Sequence, residues 1–326
     1  MRLSLPFLPL LFVAACAWHG IAPAAETRTL APGVSWLAGE FIPGRQPDGN
    51  SIIFQAPEGQ VVFDTGRSTG HAQKLLAGLR QDRRPLALIV NSHWHLDHIG
   101  GNAPLKQAYP AAKVMASGAI GEARTGFLAR YRQQVQERLA SLPADSPERD
   151  LMEHELEIID AREASAPDLV VSRTERRRLA GREFVVGLAT QAATAGDVWL
   201  LDPASKVLAA GDLVTLPAPF FDTACPHSWA KALDQLAAQE FDWLVPGHGE
   251  PMQRAGFERY RSAYRALLRC AASDAGKQQC IDGWLEDAGP LLPQGGQKMA
   301  RGLLDYYLDQ HLRKPEAQQR LGCPAG

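Results

Sequence analysis

The chain has 326 residues, of which 45% are hydrophobic and 21% charged, and this composition is typical of a globular protein with a large core. The formal net charge of -2 at pH 7 gives no indication of a nucleic-acid partner. These values favour a globular protein. The length suits one large α/β domain, which we expect over residues 26–326, or two smaller ones.

The first 25 residues have the features of a signal peptide. "MR" is a positive n-region, "LSLPFLPLLFVAAC" an apolar h-region, and "APAAE" a cleavage site near Ala24 or Ala25. The apolar run is too short, and too interrupted by proline, for a membrane span, so we expect no transmembrane domain in the mature protein. "VAAC" also resembles a lipoprotein signal in which Cys16 is lipidated, although we favour simple cleavage. Both alternatives predict a periplasmic or secreted protein.

Short strand patterns and helix patterns then alternate along the chain. "VSWLAG" and "NSIIFQAPEGQVVFDTG" predict strands, with a hairpin turn at "PEGQ". "STGHAQKLLAGLRQ" predicts a helix, "LALIV" a buried strand, "GNAPLKQAYP" a short helix and "KVMAS" another strand. This alternation predicts the α/β class.

Residues 119–165 read as a helical insertion. "EARTGFLARYRQQVQERLASL" and "SPERDLMEHELEIIDARE" predict two long amphipathic helices joined at "PADSP". The insertion either packs against the body of the protein or covers the functional site, and the pattern favours neither.

The remainder of the chain returns to strands and ends in helices. We interpret the basic run "RTERRRLAGR" (173–182) as a solvated turn. Strand patterns follow at "EFVVGLAT", "DVWLLD", "KVLAAGD" and "DWLVPGHGE", with the helix "SWAKALDQLAAQ" before the last of them. Residues 253–313 are predicted to be helical.

Four cysteines remain after removal of a signal peptide: Cys225, Cys270, Cys280 and Cys323. An even number in an exported protein predicts disulfides, and four cysteines allow three pairings. Cys270 and Cys280 flank a short loop between two helix patterns and are the favoured local pair, which leaves Cys225 to pair with Cys323. A metal role is disfavoured because no two of them form a close CxxC pair.

The segment "NSHWHLDHIGG" (91–101) concentrates metal-ligating residue types after the buried strand "LALIV". Side chains two residues apart at a strand end point the same way, so His93 and His95 can converge on one ion. Asp97 and His98 lie further along the loop and can face a second point. Zinc prefers imidazole nitrogen and carboxylate oxygen, so the segment predicts a zinc site.

Together with three other motifs, this segment resembles the metallo-β-lactamase superfamily, whose members are mostly zinc hydrolases with a four-layer αββα sandwich. "VVFDTG", "HWHLDH", "VLAAGDLV" and "LVPGHGE" occur in the family's order between about residues 33 and 250. The resemblance implies a bridging role for Asp212 and a supporting role for Asp64 beneath the metal loop. The implied metal ligands are His93, His95, Asp97, His98, Asp212 and His248.

One motif of that family is broken. The stretch "QAATAGD" has Ala193 where the family carries a histidine ligand of the first metal, and an alanine methyl group cannot coordinate. The first position then keeps His93 and His95 with at most Asp212, whereas the second keeps four ligands. We therefore expect one tightly bound zinc, with a second held weakly at most. Gln191 is a conceivable substitute that no pattern supports.

The resemblance implies hydrolysis by a metal-activated water, with Asp97 as the catalytic residue that orients the water or relays its proton. A small-molecule substrate is implied, and ester, thioester or lactone-like compounds are the favoured class. A β-lactam is less favoured, because the position of Asp212 is usually not aspartate in β-lactamases. The rival interpretation is a catalytically weakened metal- or ligand-binding protein on the same fold. The sequence predicts neither the particular substrate nor the oligomeric state.

Overall fold

A computed structural model describes residues 27–42 and 45–324. The first β-sheet forms one half of the protein. Its seven strands lie in chain order, antiparallel from β1 to β4 and parallel from β4 to β7. They are β1 (Arg28–Ala31), β2 (Val34–Leu37), β3 (Ser51–Ala56), β4 (Gly59–Phe63), β5 (Leu86–Val90), β6 (Lys113–Ser117) and β7 (Leu169–Val171).

The second sheet has five strands in the order β12-β11-β10-β9-β8. Its strands are β8 (Glu175–Leu179), β9 (Arg182–Thr190), β10 (Gly196–Asp202), β11 (Val207–Thr215) and β12 (Trp243–His248). Neighbouring strands are antiparallel except β11 and β12, which run parallel and therefore end at the same edge.

Eleven α-helices occur in the described ranges, most of them on the outer faces of the sheets. They are α1 (Thr69–Leu79), α2 (Leu96–Ile99), α3 (Asn102–Ala108), α4 (Ala119–Thr125), α5 (Phe127–Ser141), α6 (Glu148–Asp160), α7 (Pro226–Ala237), α8 (Arg254–Ala271), α9 (Lys277–Asp287), α10 (Gly296–Tyr307) and α11 (Pro315–Arg320). In these ranges no helix is both long and apolar enough to cross a membrane.

The apolar side chains separate into layers because strand residues alternate between faces. In β3, Ile52 and Phe54 point into the core between the two sheets, whereas Ile53 points to the outer core beneath α1 and α3. A larger apolar cluster lies between the second sheet and helices α7 to α10. The order helix, sheet, sheet, helix confirms the predicted αββα sandwich.

Half of the basic run at 173–182 forms strand β8, so our prediction that the run is a solvated turn was wrong. Strand β8 pairs with β9 at the edge of the second sheet, with Arg176 and Arg178 exposed and Leu179 buried. Charged side chains are common on edge strands, where they oppose pairing with other chains. The charge of the run concealed its two-residue alternation.

The predicted insertion contains three helices instead of two, because the chain turns sharply at Gly126 between α4 and α5. Its apolar side packs against the histidine segment, where Trp94, Leu96 and Ile99 join a buried cluster with Ile158 and Ile159 of α6. Of the two roles considered for the insertion, packing against the body is therefore observed.

The C-terminal region is helical as expected, and disulfides join Cys225 to Cys323 and Cys270 to Cys280. These are the two pairs that the spacing favoured. The predicted signal peptide and the possible lipidation site at Cys16 lie outside the described residues.

Candidate metal centre

The candidate site lies where strand ends from both sheets meet. Asp64 directly follows β4, and the histidine segment directly follows its parallel neighbour β5. In the second sheet, β11 carries Asp212 and its parallel neighbour β12 ends at His248. The loops after parallel strands lie at one edge of a sheet, so the topology brings distant parts of the sequence together.

Two overlapping groups of ligand atoms occur among residues 27–42 and 45–324. One contains His93, His98 and Asp212 and the other Asp97, His98 and His248, with the ligand atoms of each group within 4.8 Å of one another. His98 belongs to both groups, so five of the six predicted ligands surround one small volume.

The four ligands expected at the second metal position are the most closely associated. His98 Nε2 lies 3.4 Å from Asp212 Oδ1 and 3.7 Å from Asp97 Oδ2. His248 Nε2 lies 3.0 Å from Asp97 Oδ2 and 3.6 Å from Asp212 Oδ1. Two imidazoles and two carboxylates therefore share one centre, a donor set that suits a divalent ion such as zinc.

Asp64 orients His98 directly and His93 through Ser92. Its carboxylate accepts hydrogen bonds from Ser92 N at 2.7 Å, from Ser92 Oγ at 2.6 Å and from His98 Nδ1 at 2.8 Å. Because the Ser92 hydroxyl donates to Asp64, its lone pairs accept from His93 Nδ1 at 2.9 Å. Both rings thus donate from Nδ1, which directs each Nε2 into the site, where it would coordinate a metal.

Three buried polar atoms at the centre have no hydrogen-bond partner within the described chain: His93 Nε2, His98 Nε2 and Asp212 Oδ1. Buried polar groups are nearly always paired, so unpaired ones require a specific explanation. All three are of the type that coordinates a metal, and they point into the shared volume. The residues present therefore fit a metal ion.

The charges at the centre also favour a cation. Burial opposes ionisation of Asp97 and Asp212, yet neighbouring His98 and His248 hold the pKa of both carboxyl groups below the ordinary value. Burial likewise opposes a charged His98, but Asp212, Asp64 and Asp97 hold its pKa well above the ordinary value. The carboxylates are thus ionised and attract positive charge, which a metal ion would supply.

His95 is in neither group of ligand atoms found in the described ranges. Its ring packs against His93 with centroids 4.4 Å apart, and its Nε2 lies 3.1 Å from Thr223 Oγ1. The Thr223 hydroxyl donates to the carbonyl oxygen of Ala193 at 2.9 Å, so it can accept the His95 Nε2 proton. The Thr223 hydroxyl thus contacts His95 next to Ala193, the position at which the family's histidine is missing.

Gln191 does not replace the missing ligand. Its side-chain nitrogen donates to the carbonyl oxygen of Gly322 at 3.0 Å, in the C-terminal tail. Ala193 itself is 3% exposed and packs in the apolar cluster outside the second sheet. Neither residue therefore supplies a ligand at the first metal position, whose expected weakness stays a prediction.

Two glycines permit the close approach of the metal-bearing segments. A Cβ atom on Gly247 would lie 2.0 Å from Asp212 Oδ1, and one on Gly49 would lie 2.7 Å from His98 Cε1. Any other residue at either position would displace a ligand. The amide of Gly49 also donates to the carbonyl oxygen of Asp97 at 2.9 Å, which fixes the start of the short helix α2.

The sequence did not identify Ser92 or Thr223 as functional residues. Ser92 directly precedes His93, and a hydroxyl group at that position is a sequence signal for a residue that orients the ring. Thr223 is 128 residues from His95, and its role depends on how the segment after β11 folds back, for which the sequence carries no local signal.

Comparison with known proteins identifies the family. The sequence profile of the metallo-beta-lactamase superfamily matches residues 44–248, more than half of the chain. A linear primary-alkylsulfatase of Pseudomonas sp. (strain ATCC 19151) is 26% identical over 249 residues, which are 65% of this chain and 43% of that protein. Uncharacterized protein YobT of Bacillus subtilis (strain 168) is 25% identical over 222 residues, or 63% and 85% of the two chains.

Solved structures share the fold at lower identity. A metallo-beta-lactamase from Pontibacter korlensis has a TM-score of 0.55 and 20% identity, covering 74% of this chain and 99% of that one. A stereoselective inverting sec-alkylsulfatase from Pseudomonas sp. has a TM-score of 0.56 and 19% identity, covering 90% and 51%. This chain spans about half or less of the alkylsulfatases that it matches. With its αββα layers and ordered motifs, the chain belongs to the metallo-β-lactamase superfamily.

Proposed function

We propose that the protein is an exported hydrolase that uses one tightly bound zinc ion to cleave an ester, thioester or lactone. The observation that carries this proposal is the convergence of Asp97, His98, Asp212 and His248 on one centre, where His98 Nε2 and Asp212 Oδ1 are buried and unpaired within the described residues. Ala193 leaves the neighbouring position without its third nitrogen ligand. The signal-like N-terminus supports export, and the two disulfides are typical of an oxidising compartment.

Zinc held by these four residues would lower the pKa of a coordinated water to about 7 and polarise the substrate. Asp97 lies at the centre, with Oδ2 close to His248 and the other carboxylate oxygen towards Arg67. We assign Asp97 the role of orienting the attacking water and accepting its proton. With zinc bound, Asp64 and Ser92 would hold the ring protons of His93 and His98 on Nδ1 and leave each Nε2 to the ion.

Carboxylic esters and their thio- and lactone analogues are our first substrate class, because Asp212 stands where acyl-hydrolase members of the family carry aspartate. Sulfate esters are the second class, and similarity to the linear primary-alkylsulfatase supports them. β-Lactams come third, since the likeness to solved β-lactamases is one of fold.

The test is turnover of a panel containing one chromogenic carboxylic ester, thioester, lactone, alkyl sulfate and β-lactam by the zinc-loaded mature protein. We expect hydrolysis of at least one acyl substrate and a loss of about 10²-fold or more in Asp97→Asn, the scale of a general-base contribution. Asp145→Asn changes an exposed carboxylate of the insertion and serves as the matched control. Zinc binding without turnover of any substrate would instead support the non-catalytic interpretation.

A further inference from the structure

Arg67 joins the metal centre to the helical insertion. It follows Asp64 by three residues, and its Nη2 lies 3.6 Å from Asp97 Oδ1. Its Nη1 donates to Glu155 Oε1 at 2.5 Å. The side chains of Arg67 and Glu155 are 14% and 4% exposed, so the guanidinium lies between two carboxylates in a largely buried environment.

The insertion holds Arg67 through several contacts. Glu155 lies on α6, and its second oxygen accepts a hydrogen bond from the hydroxyl of Tyr131 on α5 at 3.0 Å. The neighbouring His154 contacts the carbonyl oxygen of Arg67 through Nε2 at 2.9 Å. The insertion therefore fixes both the side chain and the backbone of Arg67.

Glu155 occupies a position that packing alone would give to an apolar residue. It lies between Met152 and Ile159 on the buried stripe of α6, where spacings of three and four residues place side chains on one face. A buried carboxylate is costly unless it is paired, and Arg67 is its charged partner. An acidic residue at this position therefore indicates that Glu155 serves to hold Arg67.

The pairing has a consequence for the metal ligand. A guanidinium released from Glu155 would be drawn to the nearest remaining carboxylate, that of Asp97, which is already 3.6 Å away. A closer ion pair there would draw Oδ1 towards Arg67 and turn the carboxylate, so that Oδ2 would move away from His98 and His248 at the metal centre. Glu155, by holding Arg67, keeps Asp97 available and correctly oriented.

We propose that Glu155 acts through Arg67 as a positioning residue for Asp97, so that the helical insertion tunes the metal affinity of the site. This inference rests on the proposed function, because it requires Asp97 to be a metal ligand.

The experiment is zinc titration by competition with a chelator for the mature wild type and four variants, with circular dichroism to follow folding. Glu155→Gln keeps the shape but removes the charge that holds Arg67. We expect its zinc affinity to fall roughly 10- to 100-fold, the range found when groups that orient metal ligands are changed. Glu153→Gln, on the exposed side of the same helix, should bind zinc like wild type.

The double variant Glu155→Gln with Arg67→Gln separates positioning from packing. Both charges are then absent, so no cation competes for Asp97, and we expect affinity within about threefold of wild type, well above that of the single variant. If Glu155→Gln does not fold, Glu155→Asp, which keeps the charge one methylene shorter, should show a fall of about threefold or more.

Unchanged affinity in the folded Glu155→Gln variant, or in Glu155→Asp where only that variant folds, would overturn the inference. It would also be overturned by a double variant that binds zinc no better than Glu155→Gln, since this would indicate a disturbed insertion. A wild type that binds no divalent ion would overturn the proposed function, and the inference with it.

Discussion

At the scale of single residues, the site differs from its family at Ala193, and the structure shows what surrounds that position. The Thr223 hydroxyl contacts both His95 Nε2 and the Ala193 carbonyl oxygen, so His95 has a hydrogen-bond partner without a metal. The four ligands expected at the second position, by contrast, all lie around one centre. We therefore expect the two positions to differ in metal affinity because of one missing side chain.

Restoring that side chain should strengthen the weak position. We expect Ala193→His to bind a second zinc roughly tenfold or more tightly than wild type does, because a third nitrogen ligand is placed beside His93 and His95. Thr223→Ala alone removes the partner of His95 without adding a ligand and should not have this effect. Chelator competition measures both variants, and an unchanged second affinity in Ala193→His would refute our account of the broken motif.

Asp197 should make stability depend on pH. It is buried beneath Thr194, and burial raises the pKa of its carboxyl group to about 7. The folded state thus favours the neutral acid, and the stability this contributes is present below about pH 4 and is lost as pH rises through about 7. Asparagine stays neutral at every pH.

We therefore expect the free energy of unfolding of Asp197→Asn, relative to that of wild type, to rise by on the order of 2–4 kcal/mol between pH 4 and pH 8. Urea unfolding at several pH values measures this difference. Asp145→Asn controls for the change in net charge. A difference between Asp197→Asn and wild type that is constant with pH would contradict the buried neutral acid.

The candidate ligands could be named from the sequence, whereas the residues that support them mostly could not. His93, Asp97 and His98 stand in one short segment, and Asp212 and His248 stand in motifs with a fixed order. Thr223 and Arg67 act through contacts that exist only after the chain has folded. Glu155 is the exception, because an acidic residue within the apolar stripe of α6 is visible in the sequence.

At the scale of elements, two disulfides fasten the C-terminal helices and tail. Cys225–Cys323 closes a separation of 98 residues and joins the tail to the segment that carries Thr223, whereas Cys270–Cys280 closes 10 residues between α8 and α9. Loop entropy in the unfolded chain grows with the length of the closed loop, so the two bonds should contribute unequally to stability.

Replacing both cysteines of the long loop by serine should lower the free energy of unfolding by about 4–5 kcal/mol, against about 2–3 kcal/mol for the short loop. Urea unfolding of the two double variants measures this difference, with non-reducing peptide mapping to verify the remaining bond. An equal or larger loss for the Cys270 and Cys280 variant would contradict the expected order.

Elements with a strong apolar period were predicted well, and short or charged ones were not. Strands β5 and β10 are almost wholly buried and read clearly as apolar runs. Strand β8 was mistaken for a turn because its arginines outnumber its apolar residues, and β7 has three residues, too few to show a period. Their pairing depends on neighbouring strands, which the local sequence does not describe.

At the scale of the whole molecule, the metal centre lies where the two sheets meet, and the helical insertion closes around its loop. Ligands come from the first sheet through the histidine segment and from the second through Asp212 and His248. A metal ion would therefore connect both halves of the sandwich and stabilise the folded chain by RT ln(1 + [L]/Kd), about 2.7 kcal/mol at a hundredfold excess over Kd.

The central claim, one strong metal position and one weakened by Ala193, is tested most directly by zinc stoichiometry. The purified mature protein is dialysed against metal-free buffer and its zinc measured by elemental analysis, followed by titration with zinc against a chelator. We predict about one zinc per chain after dialysis, with a second bound only at excess metal. Two zinc ions retained with equal affinity would contradict the claim and point to an unrecognised ligand beside His93 and His95.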